Sequence, residues 1–312
     1  MPKVSVVVPV YNSSKYLNKC IDSLINQTFN DIEFIIINDG STDDSEDIIK
    51  SYNDERIKYI KQTNKGIGKT RNYGVSIASG DYIMFIDSDD CIDYDCVEKM
   101  YNKAIETDSD LIVSDFFKDI QGKLIKITFP HFDSCTLQEN PGLLNFINMG
   151  PCNKLYKKDL IKNIKFDEEH KYEDTPFVVK SLKNAKKITK IDECLSYYVI
   201  HDNSQTTTKN ESIRDILYIM DILKKELNSK IYDSAFKELS VSILTDYIIQ
   251  QRYIKNRKFR NNFIDDGFNK LYEIDPKWKK SEYLKRINFI KRFIKTHKFI
   301  TKLYCTMYQI IH

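Results

Sequence analysis

An α/β fold with a mainly parallel sheet flanked by helices, followed by a C-terminal helical region, is what this sequence predicts, on three observations. Short β-rich runs alternate with longer amphipathic stretches from residue 3 to about 113, as βαβ units require. Polar clusters stand directly after several of those runs, where open parallel sheets carry their ligands. Beyond Asn210 the strand pattern gives way to helical spacing.

Taken in order, Val4, Val6, Val7, Val8 and Val10 make a near-continuous apolar run suited to a strand buried on both faces, and Ile32 to Ile37 repeats it. Ile57 to Ile60 and Tyr82 to Ile86 are the next two strands. Helical patterns lie near residues 14 to 26, 43 to 52, 67 to 78 and 94 to 107, the second opening with Ser41, Thr42 and Asp43 as capping candidates after Gly40. From about 114 to 210, strands are expected at 123–129 and 195–200. A helix should follow Thr175-Pro176, since proline suits the first helical position. Farther on, Ile213, Ile216, Leu217, Met220 and Leu223 share one helical face, and Phe236, Leu239, Ile243 and Tyr247 another. The expected division is therefore an α/β domain over residues 1–210 and a helical region over 211–312. Its last stretch, from Lys285 on, interleaves seven Lys and Arg with Phe, Ile and Leu on one basic amphipathic helix.

A chain of 312 residues with 41% hydrophobic content can bury a sizeable core. With 48 Lys and Arg against 45 acidic residues, a net charge of +3 gives no reason to expect nucleic acid as a partner. Seven cysteines without a CxxC pair argue against a disulfide framework and a zinc site, and fit a reducing cytoplasm. No window reaches the 18 apolar residues of a spanning helix, and the N-terminus lacks a signal-like cleavage pattern.

The chemistry concentrates at strand ends. Asp87, Ser88, Asp89 and Asp90 close an apolar strand with three carboxylates, whose mutual repulsion a hard cation such as Mg2+ or Mn2+ relieves. A turn that caps the next helix is the structural alternative. Gly66, Gly68, Lys69 and Thr70 do not make a phosphate loop, because Thr63 and Arg71 stand where glycines are needed. Cys91 and Ile92 likewise exclude a calcium-binding EF-hand loop. What survives is an ordered set: VPVYN at 8–12, NDGS at 38–41, KTRNYG at 69–74 and the DxD strand end.

In this set, with CNKLYKKDLI at 152–161, Glu173-Asp174 and YYVIHDNSQTT at 197–207, the chain resembles the family-2 glycosyltransferases, in particular the bacterial enzymes that build capsule, exopolysaccharide or lipopolysaccharide. The likeness covers about residues 3 to 206. It implies a GT-A (Rossmann-like) fold, an inverting mechanism, a divalent metal (Mn2+ or Mg2+), a nucleotide-sugar donor and a glycan or lipid-linked acceptor. Carried over residue by residue, it assigns Pro9, Tyr11 and Asn12 to the nucleotide pocket, Asp39 to the base, Asn64 and Arg71 to the nucleotide, and Asp87 with Ser88 to the ribose side. Asn153, Lys154 and Ser204 become donor or acceptor contacts. Asp89 and His201 are the implied metal ligands, Asp174 the general base and Glu173 its neighbour on the sugar or acceptor. Asp90 receives no role beyond turn or cap.

Each assignment has chemistry of its own. A carboxylate such as Asp39 accepts the N3–H of uracil, which favours a UDP-sugar, and Asp87 accepts ribose hydroxyls. Asp174, ahead of a helix, is a cap on the plain reading and a base on the implied one. A metal-dependent nucleotidyl or phosphoryl transferase, or a nucleotide-binding module without catalysis, uses the same acidic strand end. The basic amphipathic segment 281–312 reads as a solvated face packed on its own domain, as a partner helix, or as an interfacial helix on an anionic membrane surface; the last is favoured and would make the protein peripheral on the inner face of the plasma membrane.

Overall fold

A computed structural model describes residues 2–201 and 211–311 and divides the chain into two compact units. The first comprises residues 1–140, 146–169 and 173–201, and the second residues 141–145, 170–172 and 202–312.

The first unit opens with β1 (Val4–Val10), α1 (Ser14–Ile25), β2 (Ile32–Asp39), α2 (Ser45–Ser51), β3 (Ile57–Gln62), α3 (Ile67–Ile77) and β4 (Tyr82–Phe85). It continues through β5 (Cys91–Ile92), α4 (Cys96–Thr107), β6 (Leu111–Ile120), β7 (Lys123–Ile127), β8 (Lys154–Lys157), α5 (Lys158–Ile161), α6 (Asp174–Asn184) and β9 (Ile188–Ile200). The nine strands form one sheet in the order β3-β2-β1-β4-β8-β6-β9-β5, with β7 paired to β6. The half from β3 to β4 is parallel, as the alternating pattern predicts. Beyond it the sheet is mixed: β8 runs antiparallel to β4 and β6, and β9 parallel to β6.

Every residue of β1 is buried, because β2 and β4 flank it and helices cover the sheet. Helix α1 turns Leu17, Cys20, Ile21 and Leu24 inward at one-turn spacing, and α4 does the same with Val97, Met100 and Ala104. At α3 the approach is closer still. A Cβ on Gly74 would stand 2.4 Å from a Val7 methyl, so only glycine lets this helix lie flat on β1. Because the parallel strands all run the same way, Asn12, Asp39 and Asp87 follow their carboxyl ends at a common edge.

Two helix starts differ from expectation. Ser41 and Thr42 do not cap α2; Asp43 does the work for two helices, accepting from Ser45 N at its start and from Ser14 N at the start of α1. Pro176 is the third residue of α6, not the first, which is tolerated because no amide in the first turn has an intrahelical acceptor.

The second unit holds α7 (Asp215–Glu226), α8 (Lys230–Gln250), α9 (Arg257–Ile274), α10 (Glu282–Arg286), α11 (Phe289–Thr296) and α12 (Lys298–Ile311). Ile216, Met220 and Leu223 face inward as read, while α8 buries Phe236, Leu239, Leu244 and Ile248 rather than Ile243 and Tyr247. The terminal segment is three helices, not one. Asn288 accepts from Lys291 N to start α11 afresh, and extended backbone at His297 separates it from α12. Among the described residues no helix is long and apolar enough to cross a membrane.

Candidate active site

The carboxyl edge of the parallel half-sheet is built by loops that fasten one strand end to the next. Asn12, with φ 51°, donates its N–H to Ser41 Oγ and accepts from Thr42 N, tying the end of β1 to that of β2. Asn38 accepts from Ser41 N, so the Asp39-Gly40 turn is held from both sides. Gly40 has φ +74° and a space where a Cβ would meet Asn64 N at 2.7 Å, which brings Asn64 against this turn. Tyr11 and Asn64 are exposed at the edge. Pro9 is buried within β1, shaping the strand end rather than facing solvent.

Asp39 is buried and almost fully used. Its Oδ1 accepts from Gln62 Nε2 and Lys65 N, and its Oδ2 from Gly66 N at 2.9 Å. It therefore anchors the loop ahead of α3, and only the remaining lone pair of Oδ2 is left for a base.

The centre of the site is Arg71. Projecting from α3, its guanidinium is 1% exposed and donates to Glu173 Oε1 at 2.9 Å, Asp174 Oδ1 at 2.5 Å and Asp87 Oδ1 at 2.7 Å. The ring of Phe166 lies 5.3 Å from it. Arg71, expected at the nucleotide, is here enclosed by three carboxylates and holds them in place. Glu173 makes no side-chain cap bond to α6, while Asp174 lies in its first turn, where negative charge is favoured.

One positive charge facing three negative ones leaves a local excess, and the carboxyl groups respond. Burial, with the charges of Glu173 and Asp87, pushes Asp174 up to about 8 against the pull of Arg71. Solvent tempers that effect, since the side chain is still 32% exposed. Asp89 and Asp90 are also pushed up, first by burial and then by Asp87. Asp90 proves to be structural: it is buried and accepts from Val199 N at 2.8 Å, joining the β4 end to β9.

The two implied metal ligands are brought together. His201 Nε2 lies 2.9 Å from Asp89 Oδ2, and the imidazole stacks on Tyr16 with centroids 4.1 Å apart. An oxygen and an imidazole nitrogen about 3 Å apart suit neighbouring ligands of an octahedral ion at about 2.1 Å, and the borderline donor set fits Mn2+ readily. A second donor group, Asp87, Asp90 and Cys152, has ligand atoms within 4.8 Å of one another. It fits a hard cation less well, since burial and Asp87 push the Cys152 thiol up and keep it protonated.

Two further residues of the expected set lie inside the fold. Asn153 is buried, donating to Ser114 O and accepting from Lys154. Lys154 is fully buried, its Nζ donating to Asn148 O, Gly150 O and Asn153 Oδ1 at 2.6, 2.6 and 2.8 Å. Burial pushes it down to about 7. Both residues fasten the loop before β8. Ser88 is buried and shares a 2.6 Å hydrogen bond with Ser13 Oγ. Ser204 lies outside the described residues. Sequence reasoning missed Ser13 and Tyr16, although both sit within five residues of Tyr11-Asn12, at the start of a helix that leaves the strand end.

Residues 5–165 match the model of glycosyl transferase family 2. The chain is 35% identical over 216 residues to the glycosyltransferase GlyA of Streptococcus pneumoniae, covering 65% of this chain but 31% of that protein. To GlyG of the same organism it is 30% identical over 256 residues, covering 77% of this chain and 83% of the relative. The crystal structure of Staphylococcus aureus TarS 1-349 in complex with UDP-GlcNAc superposes with a TM-score of 0.75 at 23% identity, covering 98% of this chain and 90% of that one. The shared architecture is the GT-A fold, a mixed sheet flanked by helices with further helices at the C-terminus.

Proposed function

We propose, from the premise that this chain belongs to glycosyl transferase family 2, that it transfers a sugar with inversion from a nucleotide sugar to a hydroxyl of a cell-surface glycan or lipid-linked oligosaccharide. The observation that carries the reading is Asp174, a partly exposed carboxyl group that burial pushes up to about 8 and whose position is set by a buried arginine. A general base needs both properties: affinity for a proton close to working pH, and a fixed direction of approach. Family membership also favours sugar transfer over the phosphoryl-transfer and purely binding alternatives.

In this mechanism Asp174 accepts the proton of the acceptor hydroxyl while that oxygen attacks the anomeric carbon. The bond to the nucleoside diphosphate breaks on the opposite face as the glycosidic bond forms, inverting the configuration. Arg71 keeps Asp174 and Asp87 apart and oriented, and Glu173 shares the same guanidinium behind the base. Tyr11, Asn12, Asn64 and the free lone pair of Asp39 meet the base, and Asp87 meets the ribose. A divalent cation, Mn2+ or Mg2+, held by Asp89 and His201 would supply positive charge to the departing diphosphate.

The nucleotide most favoured is uridine diphosphate. The TarS structure holds UDP-GlcNAc, which makes a UDP-linked N-acetylhexosamine the first donor to try. The seven cysteines are all free thiols, and the reading places the chain in a reducing cytoplasm. A thermal-shift screen of UDP-, GDP- and dTDP-sugars with and without Mn2+ tests the donor. Selective stabilisation by a UDP-sugar, larger with Mn2+, is expected, and stabilisation by no nucleotide sugar overturns the proposal.

A further inference from the structure

The second unit carries a feature that sugar transfer does not use. Helix α12 has two distinct sides: Thr301 and Cys305 are buried against the unit, while Phe299, Leu303, Met307 and Ile310 recur at one-turn spacing on the outside. Phe299 is 75% and Ile310 80% exposed. Helix α11 repeats the arrangement, with Phe289 80% exposed and Ile290 beside it. Single exposed apolar residues are ordinary, but a periodic row of them marks a surface that meets another phase or another molecule.

Charge indicates which. From Tyr283 to His312 the sequence holds seven Lys and Arg and no Asp or Glu. Some of that charge is neutralised inside the unit: Lys295 pairs with Asp246, and Lys298 and Lys302 with Asp265. Arg286, Lys291 and Arg292 make no ion pair among the described residues. A groove of about 300 Å³ opens where α11 gives way to α12, and its lining includes Phe299, Tyr272, His297, Lys298 and Lys279. Aromatic walls with cations at the rim fit the phosphate and upper acyl chain of a lipid. A second copy of the chain would bring the cations that remain, Arg286, Lys291 and Arg292, against their own counterparts, whereas anionic lipid compensates them.

We infer that α11 and α12 dock the protein on an anionic lipid surface, with Phe289, Phe299 and the α12 stripe entering the interface and Arg286, Lys291 and Arg292 meeting lipid phosphates. The arrangement is interfacial, since neither helix is long enough to span. This inference does not depend on the sugar-transfer reading, and its test needs no donor.

The test is flotation of the whole chain with phosphatidylcholine vesicles and with vesicles containing about one-quarter phosphatidylglycerol, at about 0.05 and 0.3 M salt. A Phe299→Glu/Leu303→Glu variant runs in parallel; both positions are exposed, so its circular dichroism and Tm should match wild type. The wild-type chain should bind anionic vesicles at least about tenfold more tightly than neutral ones, lose most of that binding at the higher salt, and the variant should fall by about tenfold or more. Equal partitioning into both vesicles, or undiminished binding by the folded variant, overturns the inference. So does a lipid-free dimer that the same substitutions abolish, which would assign the stripe to a second copy.

Discussion

The two units depart from the ordinary distribution of residues in opposite directions. The α/β unit buries charge: Arg71, Asp90 and Glu173 lie inside, with Asp87, Asp89 and Asp174 only partly open. The helical unit exposes apolar surface along α11 and α12 while keeping unpaired cations on the outside. Each departure costs stability, and each is relieved by something outside the chain. Surplus negative charge at a strand end is relieved by a cation and by a proton in transit, whereas an uncovered apolar row is relieved by an interface. Charge and exposure, read together, therefore separate the chemical unit from the docking unit without reference to any ligand.

The sharpest way to break the comparison is Arg71→Ala. Removing the guanidinium leaves three carboxylates facing one another in a poorly solvated place, and a loss of about 3–5 kcal/mol in chemical denaturation is expected. Lys in its place keeps the charge but cannot bond three carboxylates in the same fork, so Arg71→Lys should fold yet lose transfer. If Arg71→Ala is as stable as wild type, the acidic centre is not held together by this residue.

Protonation gives the next effect. Asp174 works as a base only when ionised, so kcat/KM at saturating Mn2+ should climb with pH through about 8. The stability linkage has the opposite sign. A carboxyl with a raised folded-state pKa contributes stability that is fully present below its unfolded value and lost as pH rises through about 8. Asp174→Asn should flatten both curves; a stability profile unchanged by it would place the raised pKa elsewhere.

Packing effects are smaller. Gly74→Ala forces a methyl into the Val7 side chain and should cost about 1–3 kcal/mol in denaturant titration, with no change in donor affinity once folded. Smallest of all, Phe299→Glu/Leu303→Glu should shift stability by only about 0.5 kcal/mol and leave transfer to a water-soluble acceptor unchanged, because both side chains are on the exposed side of α12. Lost soluble transfer in that variant would remove the separation of chemistry from docking.

The scaffold was legible in the sequence where burial is written as a local run. Val4 to Val10 could only be a strand covered on both faces, and the periods of α1 and α4 are unambiguous. The ends of those strands were legible too, since Asn12, Asp39 and Asp87 follow apolar runs directly. Arg71 was not, because its partners lie 16, 102 and 103 residues away and nothing local to KTRNYG says that the guanidinium is enclosed. Lys154 misled for a different reason. The resemblance assigns it to a donor or acceptor contact, and only the folded loop shows three oxygens gathered around its Nζ. The division of the terminal segment into α11 and α12 rests on the cap at Asn288 and extended backbone at His297, a local signal that the continuous basic and apolar pattern obscures.

The central claim, that Asp174 is the base of a sugar transfer and Arg71 its positioning residue, is tested most directly by Asp174→Asn. Binding of UDP-GlcNAc would be followed by calorimetry, and UDP release measured with a cell-wall glycan fraction as acceptor. The account predicts a Kd within about twofold of wild type and a transfer rate lower by about 10²–10⁴, the usual worth of a general base. Transfer at the wild-type rate by Asp174→Asn, with donor bound equally well, would contradict it.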